Sequence, residues 1–292
     1  MIDAHHHIWR QKDLPWLMGP EQPRIFGPYA AIMRDYGTRE FLADIAGTGV
    51  TKTVYIQVNW AREQFEDEVA WVSDEAAEHG TISGIVGYAD FTGDDTRAQL
   101  DRLKKYPLMR GIRQQFHWHE NPMYKFAQVP NLCRDPLVQR NVAMLGDYGW
   151  SFDLQVFSGQ MEGAAELAQA CPNVPFILQH AGMKEDTSAA GQAAWSDGMK
   201  RLAQCPNVFS KLSGFGTFIH RNDRNFITQM VADTTAIFGA DRCMYGSNYP
   251  IEKLWTSYTA LFHAFQDATK DMPKAQRDAI FHDTAARVYR LT

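Results

Sequence analysis

Short apolar segments alternate along the chain with segments whose apolar residues recur every three or four positions. The apolar segments, several of them rich in β-branched residues, predict eight strands at residues 2–9, 53–60, 82–91, 109–116, 151–157, 176–180, 208–213 and 243–247. Helical periodicity is clear at residues 65–79 and 161–170, which lie between these strands. Because strands that alternate with helices pair in parallel through right-handed crossovers, the pattern predicts an α/β fold.

One helix-to-strand transition occurs twice. Residues 167–182 and 202–216 each contain a helix end, a Cys-Pro-Asn turn, a short apolar strand and a glycine. Eight strand–helix units in 292 residues predict a single (β/α)8 TIM barrel over residues 1–292, with its site at the C-terminal ends of the strands. A doubly wound open sheet is the alternative, but no glycine-rich phosphate loop follows the first strand at residues 9–20.

Two segments are longer than a simple strand–helix unit requires. Residues 10–40 contain four prolines before any helical pattern, and residues 117–135 form a second long segment rich in aromatic residues. Both segments follow predicted strands, which places them beside the expected site. We therefore expect these two loops to set the specificity for a ligand.

The composition narrows the classes of function. The chain is 45% hydrophobic and 22% charged, as globular proteins are, and its net charge of −5 offers no basic face for nucleic acid. It has no apolar run of about eighteen residues and no signal peptide, so we expect a cytoplasmic protein without membrane association that binds a small molecule. The four cysteines are dispersed, as is typical of a reducing compartment.

The sequence leaves the oligomeric state open. An apolar helix face that stays exposed would favour a homodimer.

The histidine run on the first predicted strand is the strongest candidate for chemistry. Side chains alternate across a strand, so His5 and His7 share one face and His6 points away. Two imidazoles about 7 Å apart along a strand can converge on one ion or one substrate. A polar strand end or the remnant of a tag is the simpler interpretation, and the apolar pair that follows the run disfavours it.

Three further polar side chains on predicted strands are candidates for the site. Arg113 offers a rigid donor fork for a carboxylate or another acceptor oxygen of a ligand, with an ordinary ion pair at the strand end as the alternative. Gln155 shares a face with Asp153 and can donate to a substrate or make a structural hydrogen bond inside the barrel. Lys211 either reaches the site as an oxyanion stabiliser or faces the outer helices.

Aromatic and histidine residues in the predicted loops are candidates to cover a pocket. We expect His117 and Trp60 to contact the ligand, with His119 and Trp118 close by. Such residues suit a sugar-like or small cyclic ligand, although a tryptophan in a loop often serves packing alone.

Six short motifs occur in an order that resembles a known superfamily. They are DAHHHIW at 3–9, RGIRQ at 110–114, FDLQV at 152–156, HAG at 180–182, KLSG at 211–214 and GSNYP at 246–250. Together they resemble the amidohydrolase superfamily, and within it the amidohydrolase-related branch of fuconolactonase-like, rhamnonolactonase-like and 2-pyrone-4,6-dicarboxylate lactonase-like hydrolases. The resemblance spans residues 2 to about 255. It implies a (β/α)8 barrel that hydrolyses lactones, with sugar lactones ahead of lactones from aromatic degradation.

The resemblance also implies roles for individual residues. The HxH pair of the superfamily corresponds to His5 and His7, and its third histidine corresponds to His180. Many relatives then have an aspartate that deprotonates the attacking water and helps to hold a divalent ion, where this chain has Asn248. An uncharged carboxamide supplies neither a titratable base near neutral pH nor an anionic ligand.

The cofactor stays open at this point. One zinc or manganese ion on His5, His7 and His180 would lower the pKa of a bound water, whereas without metal His180 or one of the pair would act as the base. No lysine matches the carbamylated bridging lysine of binuclear relatives, so the resemblance implies a single-ion or metal-free site.

The leading hypothesis is a hydrolase that opens a small lactone. Water activated at the His5, His7 and His180 centre attacks the ester carbonyl, and Arg113, Lys211 or a metal ion stabilises the oxyanion. One alternative is a metal-dependent non-oxidative decarboxylase of the same superfamily. Another is a ligand binder without catalysis, because Asn248 replaces the usual aspartate.

Overall fold

Eight parallel strands in sequence order form the centre of the computed structural model, which describes residues 1–291. The strands are β1 Ile2–His6, β2 Lys52–Ile56, β3 Ile82–Gly87, β4 Met109–Gln115, β5 Ser151–Gln155, β6 Phe176–Leu178, β7 Val208–Leu212 and β8 Cys243–Tyr245. One main helix follows each strand: α1 Thr38–Ile45, α2 Phe65–His79, α3 Thr96–Leu103, α4 Pro136–Ala143, α5 Met161–Ala170, α6 Ala189–Ala203, α7 Arg224–Phe238 and α8 Tyr258–Thr269. The predicted (β/α)8 barrel is confirmed, because every predicted strand overlaps an observed one.

The remaining α-helices within residues 1–291 are short. They are Pro15–Met18, Leu145–Tyr148, His180–Met183, Lys274–Asp278 and Thr284–Val288, with a π-helical turn at Ala279–Asp283. None of the helices within residues 1–291 has the length and the apolar character that crossing a bilayer requires.

The barrel closes between its first and last strands through a loop. The backbone N–H of Asn248 donates to the carbonyl of His5, and the N–H of His7 donates to the carbonyl of Tyr249, each at 2.7 Å. The buried carboxylate of Asp3 reinforces this seam, because it accepts hydrogen bonds from the backbone of Ser247 and from the hydroxyl of a tyrosine in α8. The pairing of β1 with β2 is irregular between Asp3 and His6.

The C-terminal segment fills the N-terminal end of the barrel. Inward-facing apolar residues of the strands, such as Ile2, Val54 and Phe209, pack against residues 285–291 in a cluster separate from the main core. Burial of this apolar surface removes the apolar side chains of residues 285–291 from water and seals the end of the barrel opposite to the expected site.

A buried polar network crosses the barrel interior above that apolar cluster. Asp153 of β5 accepts a hydrogen bond from Lys211 Nζ at 2.7 Å, and neither side chain is exposed. Gln179 Nε2 donates to the same carboxylate at 2.7 Å, and the hydroxyl of Tyr289 donates to it at 2.8 Å. A buried charge is tolerated only with a counter-charge and hydrogen bonds. Asp153 supplies the counter-charge for Lys211, and the donors from Gln179 and Tyr289 help to stabilise the buried carboxylate.

We predict that Lys211→Met lowers the free energy of unfolding by about 3–5 kcal/mol, because it leaves the buried carboxylate of Asp153 without its counter-charge. Urea denaturation followed by circular dichroism measures the change. The control is Lys200→Met, which changes a lysine on the exposed side of α6 and should cost less than about 0.5 kcal/mol. Equal losses for the two variants would contradict the role assigned to the network.

Candidate active site

A cavity of about 360 Å³ opens at the C-terminal ends of the strands. It is bounded by the two long loops expected beside the site and by the residues that follow β2, β6, β7 and β8. Its aromatic lining consists of Trp9, Trp16, Phe26, Trp60, Tyr124, Phe126 and Phe218. Its polar lining includes His7, Arg113, Gln155, His180 and Asn248. Five residues predicted from different parts of the sequence thus share one cavity.

The three predicted histidines form a cluster at the floor of this cavity. The ring centroid of His5 lies 5.0 Å from that of His7 and 4.7 Å from that of His180. His7 and His180 line the cavity, and His5 lies deeper along β1. His6 points outward, as strand alternation predicts, and stacks on Phe41 of α1 at 4.2 Å.

Neighbouring atoms orient two of the three rings. Nδ1 of His7 donates to the carbonyl of Ile56 at 2.7 Å, which leaves its Nε2 as a lone-pair donor. Nδ1 of His180 makes a hydrogen bond of 2.9 Å with the hydroxyl of Ser213, which leaves its Nε2 available. Both ring nitrogens of His5 are buried and have no hydrogen-bond partner within residues 1–291.

Burial and nearby cations keep these histidines neutral. Burial lowers the pKa of His180 to about 3, and the charges of Arg113 and Lys211 act in the same direction. The pKa values of His5 and His7 also lie well below the ordinary value, chiefly because of burial. Neutral imidazoles can accept a proton or bind a metal ion, so the cluster is suited to either task.

Strained backbone holds two of the site residues. His180 has φ +52° and Asn248 has φ +54°, in the left-handed region that residues with a Cβ adopt at an energetic cost. Gly214 follows β7 with φ +64°, and a Cβ at this position would lie 2.5 Å from Nδ1 of His180. A glycine is therefore needed for His180 to occupy its place.

Arg113 is a buried cation that faces the cavity. One guanidinium nitrogen donates to the carbonyl of Gln57, whereas Nε has no hydrogen-bond partner in the described part of the chain. No carboxylate of residues 1–291 lies within 4.0 Å of this guanidinium, and burial lowers its pKa to about 10. The ion pair considered as the alternative is therefore absent, and the side chain is free to bind an oxygen or an anion from the cavity.

The other predicted binding residues also line the cavity. Gln155 has a buried carbonyl oxygen without a hydrogen-bond partner, and His117 has a buried Nδ1 without one, within the described part of the chain. Trp60 lies at the wall between this cavity and a second one of about 350 Å³. Arg10 packs over its indole ring at 5.4 Å, so one face of Trp60 serves packing.

Lys211 does not line the cavity. Of the two positions expected from the sequence, at the site as an oxyanion stabiliser or against the outer helices, it takes neither, because it faces the barrel interior and its ammonium group is bound to Asp153. Burial lowers its pKa to about 8. Its charge lies close enough to depress the pKa of His5 and of His180, so it acts on the histidine cluster through the field it produces.

The histidine cluster supplies nitrogen donors suited to zinc, but its present arrangement does not form a metal site. Within residues 1–291, no group of three or more His, Cys, Asp or Glu side chains is positioned to hold a metal ion. The uncharged carboxamide of Asn248 adds no anionic ligand. The zinc or manganese ion on His5, His7 and His180 stays a prediction.

Two buried glutamates were missed by the sequence analysis. Glu68 of α2 accepts hydrogen bonds from Tyr55 and from the backbone of Val58, and burial raises its pKa to about 7. Glu252 lies one turn beyond Asn248, and burial raises its pKa to about 8. Glu68 could have been found, since it occupies the apolar face of α2, three residues after Phe65. No periodic pattern marks Glu252.

The fold places this protein in the class of (β/α)8 barrels. Its histidine-lined cavity lies at the C-terminal ends of the strands, where barrels of this class have their sites. The family model described as amidohydrolase matches residues 2–291. The chain belongs to the amidohydrolase family, and the resemblance stated from its motifs is confirmed.

Several relatives are similar over most of their length. The chain is 37% identical to y4mH, an uncharacterised protein of Sinorhizobium fredii, over 100% of this chain and 98% of that protein. It is 26% identical to an L-fucono-1,5-lactonase of Burkholderia ambifaria over 87% and 81% of the two chains. Two solved structures of an amidohydrolase from Burkholderia multivorans cover 100% of this chain and 99% of theirs with a TM-score of 0.84; one contains HEPES at 25% identity, and the other zinc at 24%.

We predict that Glu68→Gln makes stability less dependent on pH. Glu68 has an ordinary pKa near 4.5 when exposed and about 7 in the fold, so between these values the folded protein holds a proton that the unfolded chain has released. Raising the pH through this window therefore lowers the free energy of unfolding, and the glutamine, which keeps the acceptor oxygen, removes this loss.

Thermal unfolding at about pH 5 and pH 8 measures the effect. The Tm of Glu68→Gln should fall less than that of the wild type between the two conditions. Glu63→Gln is the control, because it removes a charge from the same region at an exposed position. Parallel shifts of wild type and Glu68→Gln would show that Glu68 is already ionised at the lower pH.

Proposed function

We propose that this protein is a hydrolase that opens a small lactone by attack of water on its ester carbonyl. The observation that carries the proposal is the neutral histidine cluster at the floor of a cavity that also presents the unpaired guanidinium of Arg113. A proton acceptor and a fixed cation on one cavity match the needs of ester hydrolysis, in which a proton leaves water as negative charge develops on oxygen. The lactonase name of two relatives at 26% identity supports the same reaction.

His180 is the group that we assign to the proton transfers. Its free Nε2 accepts a proton as the water oxygen bonds to the carbonyl carbon, and the carbonyl oxygen becomes an oxyanion. The tetrahedral intermediate then collapses, the ring C–O bond breaks, and His180 returns its proton to the leaving alkoxide. The products are a hydroxy acid and the regenerated neutral histidine.

Arg113 offsets the weak basicity of the buried histidine. In the free site its charge lowers the pKa of His180. When an oxyanion forms beside the guanidinium, that positive charge is neutralised and the imidazolium gains a nearby anion. Proton transfer to His180 thus becomes favourable as the transition state develops, where stabilisation raises the rate.

Asn248 supplies hydrogen bonds in place of a base. Its carboxamide can donate to an oxygen and accept from a water at the same time. We assign it to the orientation of the attacking water next to His180, a role that needs no charge. The strained backbone at φ +54° holds this side chain at the cavity.

A pH-indicator assay across sugar lactones and lactones derived from aromatic compounds tests the proposed reaction. Each ring opening near neutral pH releases a proton, so acid release above the spontaneous rate is expected with at least one compound. Release of carbon dioxide from an acidic substrate would instead identify a decarboxylase. Binding without turnover of any compound would identify a ligand binder.

We predict that His180→Ala lowers kcat by at least about 100-fold, since a positioned acid–base group contributes that much. The wild-type kcat/KM should stay level between about pH 7 and pH 5, because the pKa of His180 in the free protein is about 3. The matched control is His263→Ala, which changes an exposed histidine of α8. An unchanged rate in His180→Ala would remove this residue from the reaction.

We predict that Asn248→Asp raises the zinc content of the purified protein. The aspartate would add an anionic oxygen to the three imidazoles, and charged ligands strengthen the binding of a dication. Mass spectrometry of metal content after dialysis against dilute zinc compares the variant with the wild type. Equal zinc content would show that position 248 does not lie near an ion.

A further inference from the structure

The charged residues that line the cavity of the candidate active site are all cationic. The lining includes Arg24, Arg62, Arg113 and Lys125 but no aspartate or glutamate. The whole chain, by contrast, has a net charge of −5. A cavity that concentrates cations on an acidic protein attracts an anion and holds it more strongly than bulk water would allow.

Arg24 forms a second cationic position, in the loop after β1. Its guanidinium lies 6.0 Å from the centre of the Trp16 ring, and its Nε is buried without a hydrogen-bond partner within residues 1–291. No carboxylate of these residues lies within 4.0 Å of it. A guanidinium at a cavity wall with an unpaired donor can bind a carboxylate from a ligand.

Hydrogen bonds fix the loop that positions Arg24. Nε2 of His220 donates to the carbonyl of Ile25 at 2.9 Å, and the indole of Trp16 donates to the carbonyl of Val58 at 2.9 Å. The loop after β4 contributes Lys125 to the same cavity, and this lysine also has no carboxylate within 4.0 Å in the described chain. Two loops thus bring two uncompensated cations to the cavity besides Arg113.

We propose that the substrate is an acidic lactone, whose ester carbonyl lies at Arg113 and His180 while a free carboxylate elsewhere on the molecule is held by Arg24 and Lys125. This inference rests on the proposed lactone hydrolysis and specifies its substrate class. Arg113 serves the reacting oxygen, so the carboxylate needs its own partners, and the Arg24 loop supplies them. The aromatic walls accept the ring between the two charged ends.

Two lactones that differ in one group test the proposal. D-glucaro-1,4-lactone has a free carboxylate where D-glucono-1,4-lactone has a hydroxymethyl group. We expect the wild-type kcat/KM for the acidic lactone to exceed that for the neutral one by at least about 10-fold, because a hydrogen bond to a charged group contributes about that much to binding. The preference should shrink in ~0.5 M salt, which screens charges. Equal or better hydrolysis of the neutral lactone would overturn the proposal.

Variants of Arg24 and Lys125 test whether these residues hold the free carboxylate of the lactone. Arg24→Gln should raise KM for the acidic lactone by about 10-fold or more with little change in kcat, because the carboxylate contact is the same in the ground and transition states. Lys125→Gln, at an exposed position, should act in the same direction and keeps the test usable if Arg24→Gln folds poorly. Arg39→Gln is the charge-matched control on the outside of the barrel and should leave both lactones unaffected. Losses that are equal for the two lactones would show that Arg24 has a structural role only.

Calorimetry separates this proposal from the proposed function. If neither lactone is hydrolysed, D-glucarate and D-gluconate are titrated as non-reactive probes. If D-glucarate binds the wild type more tightly than D-gluconate does, and Arg24→Gln loses this difference, the anion site is supported while the lactonase function fails. Hydrolysis of neutral lactones alone would support the lactonase function while the acidic substrate class fails. Equal binding of both acids to wild type and variant would overturn the anion site.

Discussion

The site depends on the two backbone hydrogen bonds that join the loop after β8 to β1. They connect Asn248 with His5 and Tyr249 with His7, and so bring the beginning of the chain against a segment about 240 residues later. Because backbone groups make these bonds, the side chains of His7 and Asn248 remain available to the cavity, and the ring of His5 lies beneath them beside His7. The same two hydrogen bonds therefore close the barrel and bring the site residues together, so a change that weakens them disturbs both.

The barrel interior is arranged in layers of different polarity. Apolar residues and the C-terminal segment occupy one end, the Asp153–Lys211 network lies above them, and the neutral histidines and Arg113 lie at the open end. The central ion pair keeps an ammonium group near the histidines without exposing it to the ligand. Burial, together with the field of this ammonium group and that of Arg113, lowers the pKa of the imidazoles and holds them neutral, so their nitrogen lone pairs stay free.

Asn248, at the position where the superfamily resemblance implies an aspartate, leaves the cavity lining of residues 1–291 without a carboxylate. Within residues 1–291 the lining contains cations and neutral groups only, so Arg113 has no carboxylate partner in the cavity, although the more distant charges of Asp153 and Glu68 partly offset the lowering of its pKa by burial. The neutral side chain of Asn248 supplies no base, and on the acidic-lactone proposal it also avoids repulsion of an anion in the cavity.

The sequence by itself determined the barrel and the eight strand positions, because strand alternation and helical periodicity are local patterns. Strand alternation also placed His5 and His7 on one face, whereas His180 was assigned from the superfamily resemblance. Only the tertiary structure decided which polar groups were paired. Lys211 and Arg113 both lie on predicted strands, yet Lys211 meets Asp153 and Arg113 meets no carboxylate within residues 1–291. Arg24 reaches the cavity through a loop without periodic pattern. Contacts between residues distant in sequence set these differences, since burial and counter-charges depend on the folded chain as a whole.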